Sequence, residues 1–115
     1  MSTKEIGTAA ETQAVQALLA DGFSVVERNF RCRAGELDIV ARDPRGVLVF
    51  VEVRSRRSAA FGDATCAIPL AKQRQVARVA AVYLAVRRPD AAEIRFDVIA
   101  VTGGDLVHLE DAFRA

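Results

Sequence analysis

The chain has few of the residues from which several common kinds of functional site are built. Its 115 residues include only two cysteines, one histidine and no tryptophan. Cys32 and Cys66 do not form a Cys-x-x-Cys pair, and His108 stands alone, so a Cys/His zinc site lacks ligands. No stretch approaches the roughly 18 uncharged apolar residues that a membrane helix requires. These absences exclude a zinc finger and a transmembrane helix, and they favour free thiols.

The charges of the chain are nearly balanced, with a formal net charge of +1 at pH 7. The field of the whole molecule therefore attracts nucleic acid only weakly, and binding of this kind would require a local basic patch. The first residues show neither a basic leader with an apolar run nor an Arg- and Ser-rich amphipathic pattern. We therefore expect a soluble, cytoplasmic protein that does not associate with membranes.

The apolar pattern predicts a single domain over residues 1–115. Predicted helices cover Thr3–Ala20 and Pro69–Arg88, and predicted strands cover Phe23–Cys32, Glu36–Arg42, Val47–Val53, Glu93–Thr102 and Leu106–Leu109. The run Val47–Val53 is apolar on both alternating faces, which indicates a central strand with helices on each side. The expected fold class is α/β (α+β), a central mixed sheet flanked by two helices in the order α-β-β-β-α-β-β.

The connection from Ser55 to Ala67 is the longest in this scheme. Its length is typical of a functional loop rather than a simple connection. Arg56 and Arg57 within it are candidates for contacts with a DNA backbone. Adjacent surface arginines are more often merely solvated, and this alternative stays open.

Glu52 interrupts an apolar strand in which an unpaired buried carboxylate would cost several kcal/mol. Residues two apart on a strand share a face, so Glu52 and Arg54 point the same way. The turn at Asp43–Gly46 predicts a hairpin that pairs Asp38 with residue 51 or 52. Asp38 and Glu52 can then face each other, although a slip of one residue would reverse the face.

Each helix adds a charged residue to an apolar stripe. Lys72 precedes Val76 by four residues and Val79 by seven, and Glu11 precedes Val15 by four residues. Charged side chains of several elements are thus expected to turn toward one place: Glu11, Asp38, Glu52, Arg54 and Lys72.

Two or three carboxylates can bind Mg²⁺, because the ion fills its remaining coordination positions with water. These positions are available to substrate oxygens and to the nucleophile. A nearby cation would stabilise the charge that develops on a phosphate. The alternative is a structural ion network in which Arg54 and Lys72 neutralise Asp38 and Glu52. The spacing alone favours neither interpretation. Outside this cluster, we expect a structural role for His108. Asp97 could support the site from behind, but a pairing with Arg95 or with a core arginine is favoured.

Several segments are specific in combination, although each alone is a weak signal. They are Gly7 with Ala10-Glu11, Glu27-Arg28-Asn29-Phe30-Arg31, Gly35-Glu36-Leu37-Asp38-Ile39-Val40, Val49-Phe50-Val51-Glu52-Val53-Arg54, Phe61-Gly62, Lys72, and Arg95-Phe96-Asp97-Val98. On these segments the chain resembles, over nearly its whole length, the YraN-type family of bacterial proteins. That family is similar to archaeal Holliday-junction resolvases and belongs with the PD-(D/E)XK, restriction-endonuclease-like fold.

The resemblance implies a catalytic site of Asp38, Glu52, Arg54 and Lys72. Asp38 and Glu52 would be metal ligands, with Glu11 as the acidic residue of the first helix. Position 54 departs from the motif, which has lysine there, whereas arginine keeps the charge but stays protonated at working pH. Lys72 could compensate from the neighbouring helix.

The implied function is a Mg²⁺- or Mn²⁺-dependent endonuclease acting on DNA, including branched or structured DNA. A homodimer is suggested by the two-fold symmetry of a DNA junction, an analogy at the level of fold. The alternative is a catalytically inactive module with the nuclease fold that binds nucleic acid or a protein partner.

Overall fold

A computed structural model describes residues 3–56 and 68–114 of the chain. The helices are α1 (Thr3–Ala20) and α2 (Leu70–Arg87), and the strands are β1 (Ser24–Cys32), β2 (Gly35–Arg42), β3 (Leu48–Arg56), β4 (Ile94–Thr102) and β5 (Asp105–Phe113). The predicted order of elements is confirmed. Arg57, Cys66 and the rest of the predicted loop beyond Arg56 lie outside the described residues.

The strands form one five-stranded sheet in the order β1-β2-β3-β4-β5. Neighbouring strands are antiparallel except β3 and β4, which are parallel. Parallel strands need a long crossover, and α2 lies in the connection between β3 and β4. The sheet is therefore mixed, with β3 at its centre as the apolar run predicts. Neither described helix is long and apolar enough to cross a membrane.

Each face of the sheet packs against one helix. On one face Val76, Val79 and Tyr83 of α2 belong to a buried cluster with Val40 and Phe50. On the other face α1 contributes its own cluster members: Ala10, Ala14 and Leu18, which pack with Ile39, Val49 and Val51. Full burial of one such large apolar side chain contributes roughly 1.5–3 kcal/mol. These two cores fix which face of the sheet each strand residue occupies.

The helices end where the sequence predicts. Gly22 has a φ of 86°, and the N–H of Phe23 donates to the Leu18 carbonyl at 2.9 Å. This is a left-handed glycine cap that satisfies the last carbonyls of α1. Arg88 caps α2 with a φ of 48° and donates its N–H to the Leu84 carbonyl at 3.0 Å.

Two strands are longer than the apolar pattern predicts. β3 continues past Val53, because Ser55 and Arg56 pair with residues of β4. β5 runs to Phe113 instead of ending at Leu109, since Phe113 pairs with Phe96 after a register shift. In both cases the partner strand, and not the alternation of apolar residues, sets the end.

Candidate active site

Asp38 and Glu52 come together across the β2–β3 hairpin. The register pairs Ile39 with Val51 and Val40 with Phe50. One residue further in the same register, Asp38 lies opposite Glu52, in agreement with the predicted pairing of Asp38 with residue 51 or 52. Glu52 lies on the α2 side of the sheet, where Lys72 meets it. Around Asp38 the regular alternation of side chains is interrupted, because Leu37 packs in the core under α2 and Ile39 in the core under α1. Glu52 is buried and Asp38 is partly buried.

The Asp38 carboxyl is held in a position that favours its protonated form. Its Oδ2 accepts a hydrogen bond from the Val53 N–H at 2.8 Å. Burial and the charge of Glu52 raise the pKa of Asp38 to about 7, although the hydrogen bond from Val53 opposes this shift. Smaller contributions in the same direction come from Glu11 and Glu36. The site therefore attracts a proton or another cation near neutral pH.

Lys72 supplies a positive charge to this pair from α2. Its Nζ lies 3.3 Å from Oε1 of Glu52, as its place on the apolar stripe predicts. The Lys72 side chain is 38% exposed, so its ammonium group also faces solvent. One turn further along α2, Gln75 donates from Nε2 to the Ala34 carbonyl at 3.2 Å, which ties the helix to the β1–β2 turn.

Gly35 allows this close approach of helix and turn. Its φ is 142°, in the region that favours glycine. A Cβ at this position would lie 2.8 Å from Nε2 of Gln75. The glycine that begins the Gly35-Glu36-Leu37-Asp38 segment thus allows α2 to pack closely against the β1–β2 turn. The same helix carries Lys72.

Glu11 is near the pair but is bound by other residues. Its Oε1 accepts hydrogen bonds from Arg28 Nε at 3.0 Å and from Asn29 Nδ2 at 3.1 Å. Its charge contributes to the raised pKa of Asp38. The structure therefore brings Glu11 into the electrostatic environment of Asp38 while β1 holds its carboxylate.

Arg28 and Asn29 are the residues whose roles sequence reasoning missed. Asn29 has a φ of 57°, a left-handed conformation that asparagine tolerates better than most residues. The flanking pairs Arg28↔Ile39 and Phe30↔Leu37 set Asn29 beside Asp38 in the sheet. The available signal was the distinctive segment at residues 27–31, which the resemblance includes without assigning a contact.

The three predicted arginines have different positions. Arg54 lies two residues after Glu52 on β3, is partly buried, and pairs in the sheet with Ala100. Arg56 is the last residue of β3 and pairs with Thr102. Arg57 lies outside the described residues, so its predicted role in binding nucleic acid stays a prediction.

The paired carboxylates fit the ligand chemistry of magnesium. Among the described residues, no three His, Cys, Asp or Glu side chains are grouped so that they could hold a metal ion. Mg²⁺ is commonly bound by one or two carboxylates and retains several waters. Asp38 and Glu52 form such a two-carboxylate set, in which burial and then the charge of Glu52 raise the pKa of Asp38.

Asp38→Asn is expected to change how stability depends on pH. A carboxyl group whose pKa is raised in the folded state binds more protons there than in the unfolded chain between about pH 4 and pH 7. Its contribution to the free energy of unfolding therefore falls as pH rises through that window. The variant, which cannot ionise, should be more stable than the wild type at pH 8 by on the order of 2 kcal/mol.

Urea unfolding at pH 5 and pH 8 measures this difference. The exposed Asp90→Asn serves as the control, and its stability should follow the wild type at both pH values. If the free energies of unfolding of Asp38→Asn and the wild type differ by the same amount at pH 5 and at pH 8, the raised pKa of Asp38 is contradicted.

A second buried charge cluster lies on the opposite face of the sheet. Arg95 Nε lies 2.8 Å from Oδ1 of Asp97, which confirms the predicted pairing. His108 Nε2 lies 2.8 Å from Oδ2 of Asp97, and Arg95 also reaches Asp43 at 2.9 Å. Asp97 lies on the same face as Ile99, toward α1. The cluster is therefore separate from the Asp38–Glu52 pair.

Comparisons with known proteins give a family and a set of bacterial relatives. The model of uncharacterised protein family UPF0102 matches residues 10–101. A UPF0102 protein of Geotalea daltonii is 45% identical over 115 residues, with 96% of this chain and 90% of the relative covered. One from Ralstonia nicotianae is 47% identical over 110 residues, covering 93% and 85%. One from Geobacter metallireducens is 41% identical over 118 residues, covering 99% and 96%.

Among solved structures, the chain is similar to part of an EndoMS–dsDNA2 complex. The TM-score is 0.37 and the sequence identity is 17%. The alignment covers 77% of this chain and 35% of that one.

Proposed function

We propose that this chain, which belongs to uncharacterised protein family UPF0102, is a metal-dependent endonuclease that cleaves DNA, including branched or structured DNA. The observation that carries the proposal is the facing pair of Asp38 and Glu52, with Lys72 Nζ 3.3 Å from Glu52. A raised pKa at one of two facing carboxylates, beside a solvent-exposed cation, is a combination found at sites that bind metals and phosphates.

Asp38 and Glu52 would hold Mg²⁺ or Mn²⁺ in this proposal. The bound ion would stabilise negative charge on the phosphate and lower the pKa of a water molecule. Glu11 stays a predicted additional ligand, because Arg28 and Asn29 already donate to its Oε1. A role for Glu11 through Asp38 requires no direct coordination, since its charge already raises the pKa of that carboxyl.

The hydrolysis requires groups that position water and balance charge. The water oxygen would form a bond to phosphorus while the bond to the leaving sugar oxygen breaks. One proton of the attacking water would pass to solvent, and the leaving oxygen would take a proton from solvent. The Val53 N–H fixes one oxygen of Asp38, which keeps this carboxylate oriented during the step.

Lys72 and Arg54 are the candidate cations for the phosphate. Lys72 is partly exposed beside Glu52. Its ammonium group can shift between a carboxylate oxygen and a phosphate oxygen. Arg54 lies on β3 two residues after Glu52, and its planar guanidinium group can bind phosphate oxygens bidentately. In this assignment Lys72 takes the role that the motif gives to a lysine at position 54.

The test is cleavage of labelled branched, flapped and single-stranded DNA in Mn²⁺, in Mg²⁺ and in EDTA. We expect cleavage in either metal and none in EDTA, with branched DNA cut fastest. Folded protein that cuts none of these substrates in either metal would contradict the endonuclease proposal. The predicted homodimer is checked in the same preparation by the mass of the species that binds DNA.

A module that binds nucleic acid or a protein partner without cutting is the second candidate. Arg54 favours it, because arginine stands where the motif has a proton-transferring lysine. Calorimetric titration with Mn²⁺ separates the two functions. Metal binding that disappears in Asp38→Asn supports the endonuclease, whereas DNA binding with no metal binding supports the module.

A further inference from the structure

Helix α2 has an entirely basic set of charged residues. It contains Lys72, Arg74, Arg78 and Arg87 but no aspartate or glutamate. Lys72 and Arg87 have carboxylate partners on the sheet. Arg74 and Arg78 are exposed, and neither forms an ion pair with another residue in the described part of the chain. Within residues 3–56 and 68–114, the solvent side of α2 therefore carries positive charge that meets no carboxylate.

The fold gives no reason for this pair of arginines. Arg74 and Arg78 are four residues apart, so their like charges are neighbours on the helix and repel each other. Both side chains face solvent, and neither belongs to the core that packs α2 on the sheet. With a net charge of only +1, the chain as a whole offers little attraction for an anion. A local basic surface of this kind therefore indicates an anionic partner.

The two arginines border a groove with a volume of about 400 Å³. Its other lining residues are Leu70, Gln73, Ala77 and Arg114. Arg114 adds a third guanidinium from the end of the chain and also pairs with Asp111 at 3.1 Å. Small and apolar residues thus lie between cationic ones, an arrangement suited to a sugar-phosphate chain.

We propose that Arg74, Arg78 and Arg114 bind the phosphate backbone of a DNA duplex that extends beyond the active site. The proposal rests on the proposed endonuclease function, because the arginines lie on the same helix as Lys72. Arg74 is about 3 Å further along the helix axis but on its solvent side, whereas Lys72 faces the sheet. Arg74 and Arg78 are separated by about 6 Å along the helix axis, within reach of nearby phosphates on one strand. Guanidinium groups also match the oxygens of a phosphate bidentately.

An anionic membrane is the less suitable partner for this surface. A helix that binds at a membrane interface inserts its apolar face among the lipids. The apolar face of α2, which includes Val76, Val79 and Tyr83, is buried against the sheet. Binding through backbone phosphates requires only the exposed cationic side.

The test measures binding of a labelled DNA duplex in EDTA by fluorescence anisotropy over a range of NaCl concentrations. The wild type is compared with Arg74→Gln/Arg78→Gln and with Arg45→Gln/Arg88→Gln, which removes the same charge at exposed positions in the β2–β3 turn and beyond the end of α2. For Arg74→Gln/Arg78→Gln we expect affinity to fall more than about tenfold. The slope of log K against log salt should become shallower by about 1.8, since each phosphate contact contributes about 0.9.

The control pair should keep affinity within about twofold, because neither arginine lines the groove and salt screens charges that do not contact the DNA. Arg74→Lys/Arg78→Lys, which keeps both charges, should retain the wild-type salt slope. The assignment is overturned if the wild type does not bind the duplex, or if Arg74→Gln/Arg78→Gln binds like the control. Tighter binding of the wild type to phosphatidylserine vesicles than to DNA would also overturn it. Because no metal is present, a wild type that binds this way but never cuts contradicts only the endonuclease proposal.

Discussion

Replacing Glu52 with glutamine is expected to abolish metal-dependent DNA cleavage while leaving the protein folded. Glutamine keeps the shape of the side chain but removes the negative charge that faces Asp38 and forms an ion pair with Lys72 Nζ. We expect the cleavage rate to fall at least about 1,000-fold, at or above the upper end of losses for one electrostatic group in an active site. Metal binding by calorimetry should be lost in the same variant.

The fold should tolerate this change for two reasons. The charge of Glu52 is a main cause of the raised pKa of Asp38, so its removal lets Asp38 ionise at lower pH. Lys72 loses its partner but is 38% exposed, and its ammonium group can be solvated instead of being left buried. The melting temperature should therefore change little, which separates loss of function from loss of structure.

Glu27→Gln is the matched control for Glu52→Gln. Glu27 also pairs with a cation on α2, since its Oε2 lies 2.9 Å from Arg87 Nη2, but this pair lies at the other end of the helix. Its loss should leave the cleavage rate within about twofold of the wild type, since surface ion pairs contribute little. Both proteins are purified by the same procedure, so cleavage that persists in Glu52→Gln would identify either a contaminant or a wrong assignment of the site.

The sequence predicted the Asp38–Glu52 pair because two local signals agree. The turn at Asp43–Gly46 limits the hairpin register to within one residue. Glu52 is also the only charged position within an otherwise apolar run, and burial of an unpaired carboxylate is costly enough to require a partner. Each signal depends on neighbours in the chain, so neither required the tertiary structure.

The contacts of Glu11 could not be predicted in this way. The apolar stripe of α1 indicated that Glu11 turns inward, but the stripe does not identify the group that meets it. Its partners depend on the left-handed backbone of Asn29 and on how α1 crosses β1. A single sequence fixes neither the backbone conformation of a non-glycine residue nor the angle between helix and strand.

The basic surface on α2 was also outside the reach of sequence reasoning. Composition showed an excess of arginine without indicating which arginines have carboxylate partners. Lys72 and Arg87 are compensated only because the sheet brings Glu52 and Glu27 to them. That Arg74 and Arg78 meet no carboxylate in the part of the chain that the structure describes is therefore a property of the packed helix.

Asp97→Asn is expected to destabilise the protein strongly without reducing the intrinsic cleavage rate. Asp97 is fully buried, and its two oxygens accept hydrogen bonds from Arg95, from His108 and from the N–H of Asp111. An asparagine at this position is neutral and directs an amide N–H₂ toward groups that are themselves donors. Arg95 is only 11% exposed, and it would keep Asp43 as a carboxylate partner at 2.9 Å but lose its two charge-assisted hydrogen bonds to Asp97.

Breaking a buried pair by removing one partner typically costs about 3–5 kcal/mol. For a chain of this size that loss corresponds to a fall in melting temperature of roughly 10–25 °C. Asp105→Asn is the control, because Asp105 is exposed on the same β4–β5 hairpin and its replacement should shift the melting temperature by no more than about 2 °C. Equal melting temperatures for the two variants would show that the Asp97 cluster contributes little to folding.

The pH dependence of the two proteins gives an independent check. Burial alone would raise the pKa of Asp97, but the hydrogen bonds from His108 and Arg95 hold it below its usual value. A carboxyl group with a lowered pKa stabilises the fold above its unfolded pKa, and this contribution is lost as pH falls toward the folded pKa. The deficit of Asp97→Asn relative to the wild type should therefore be full at neutral pH and shrink below about pH 4.

The cleavage rates of Asp97→Asn and Glu52→Gln, measured well below the melting temperatures of both variants, compare the roles of the two faces of the sheet. Asp97 lies on the same face as Ile99, toward α1, whereas Glu52 contacts Lys72 of α2 on the other face. Asp97→Asn should thus lose stability and keep its cleavage rate per folded molecule, the reverse of Glu52→Gln. If Asp97→Asn instead loses cleavage while its stability is unchanged, the cluster of Asp97, Arg95 and His108 takes part in the reaction, and the assignment of the active site to Asp38 and Glu52 is wrong.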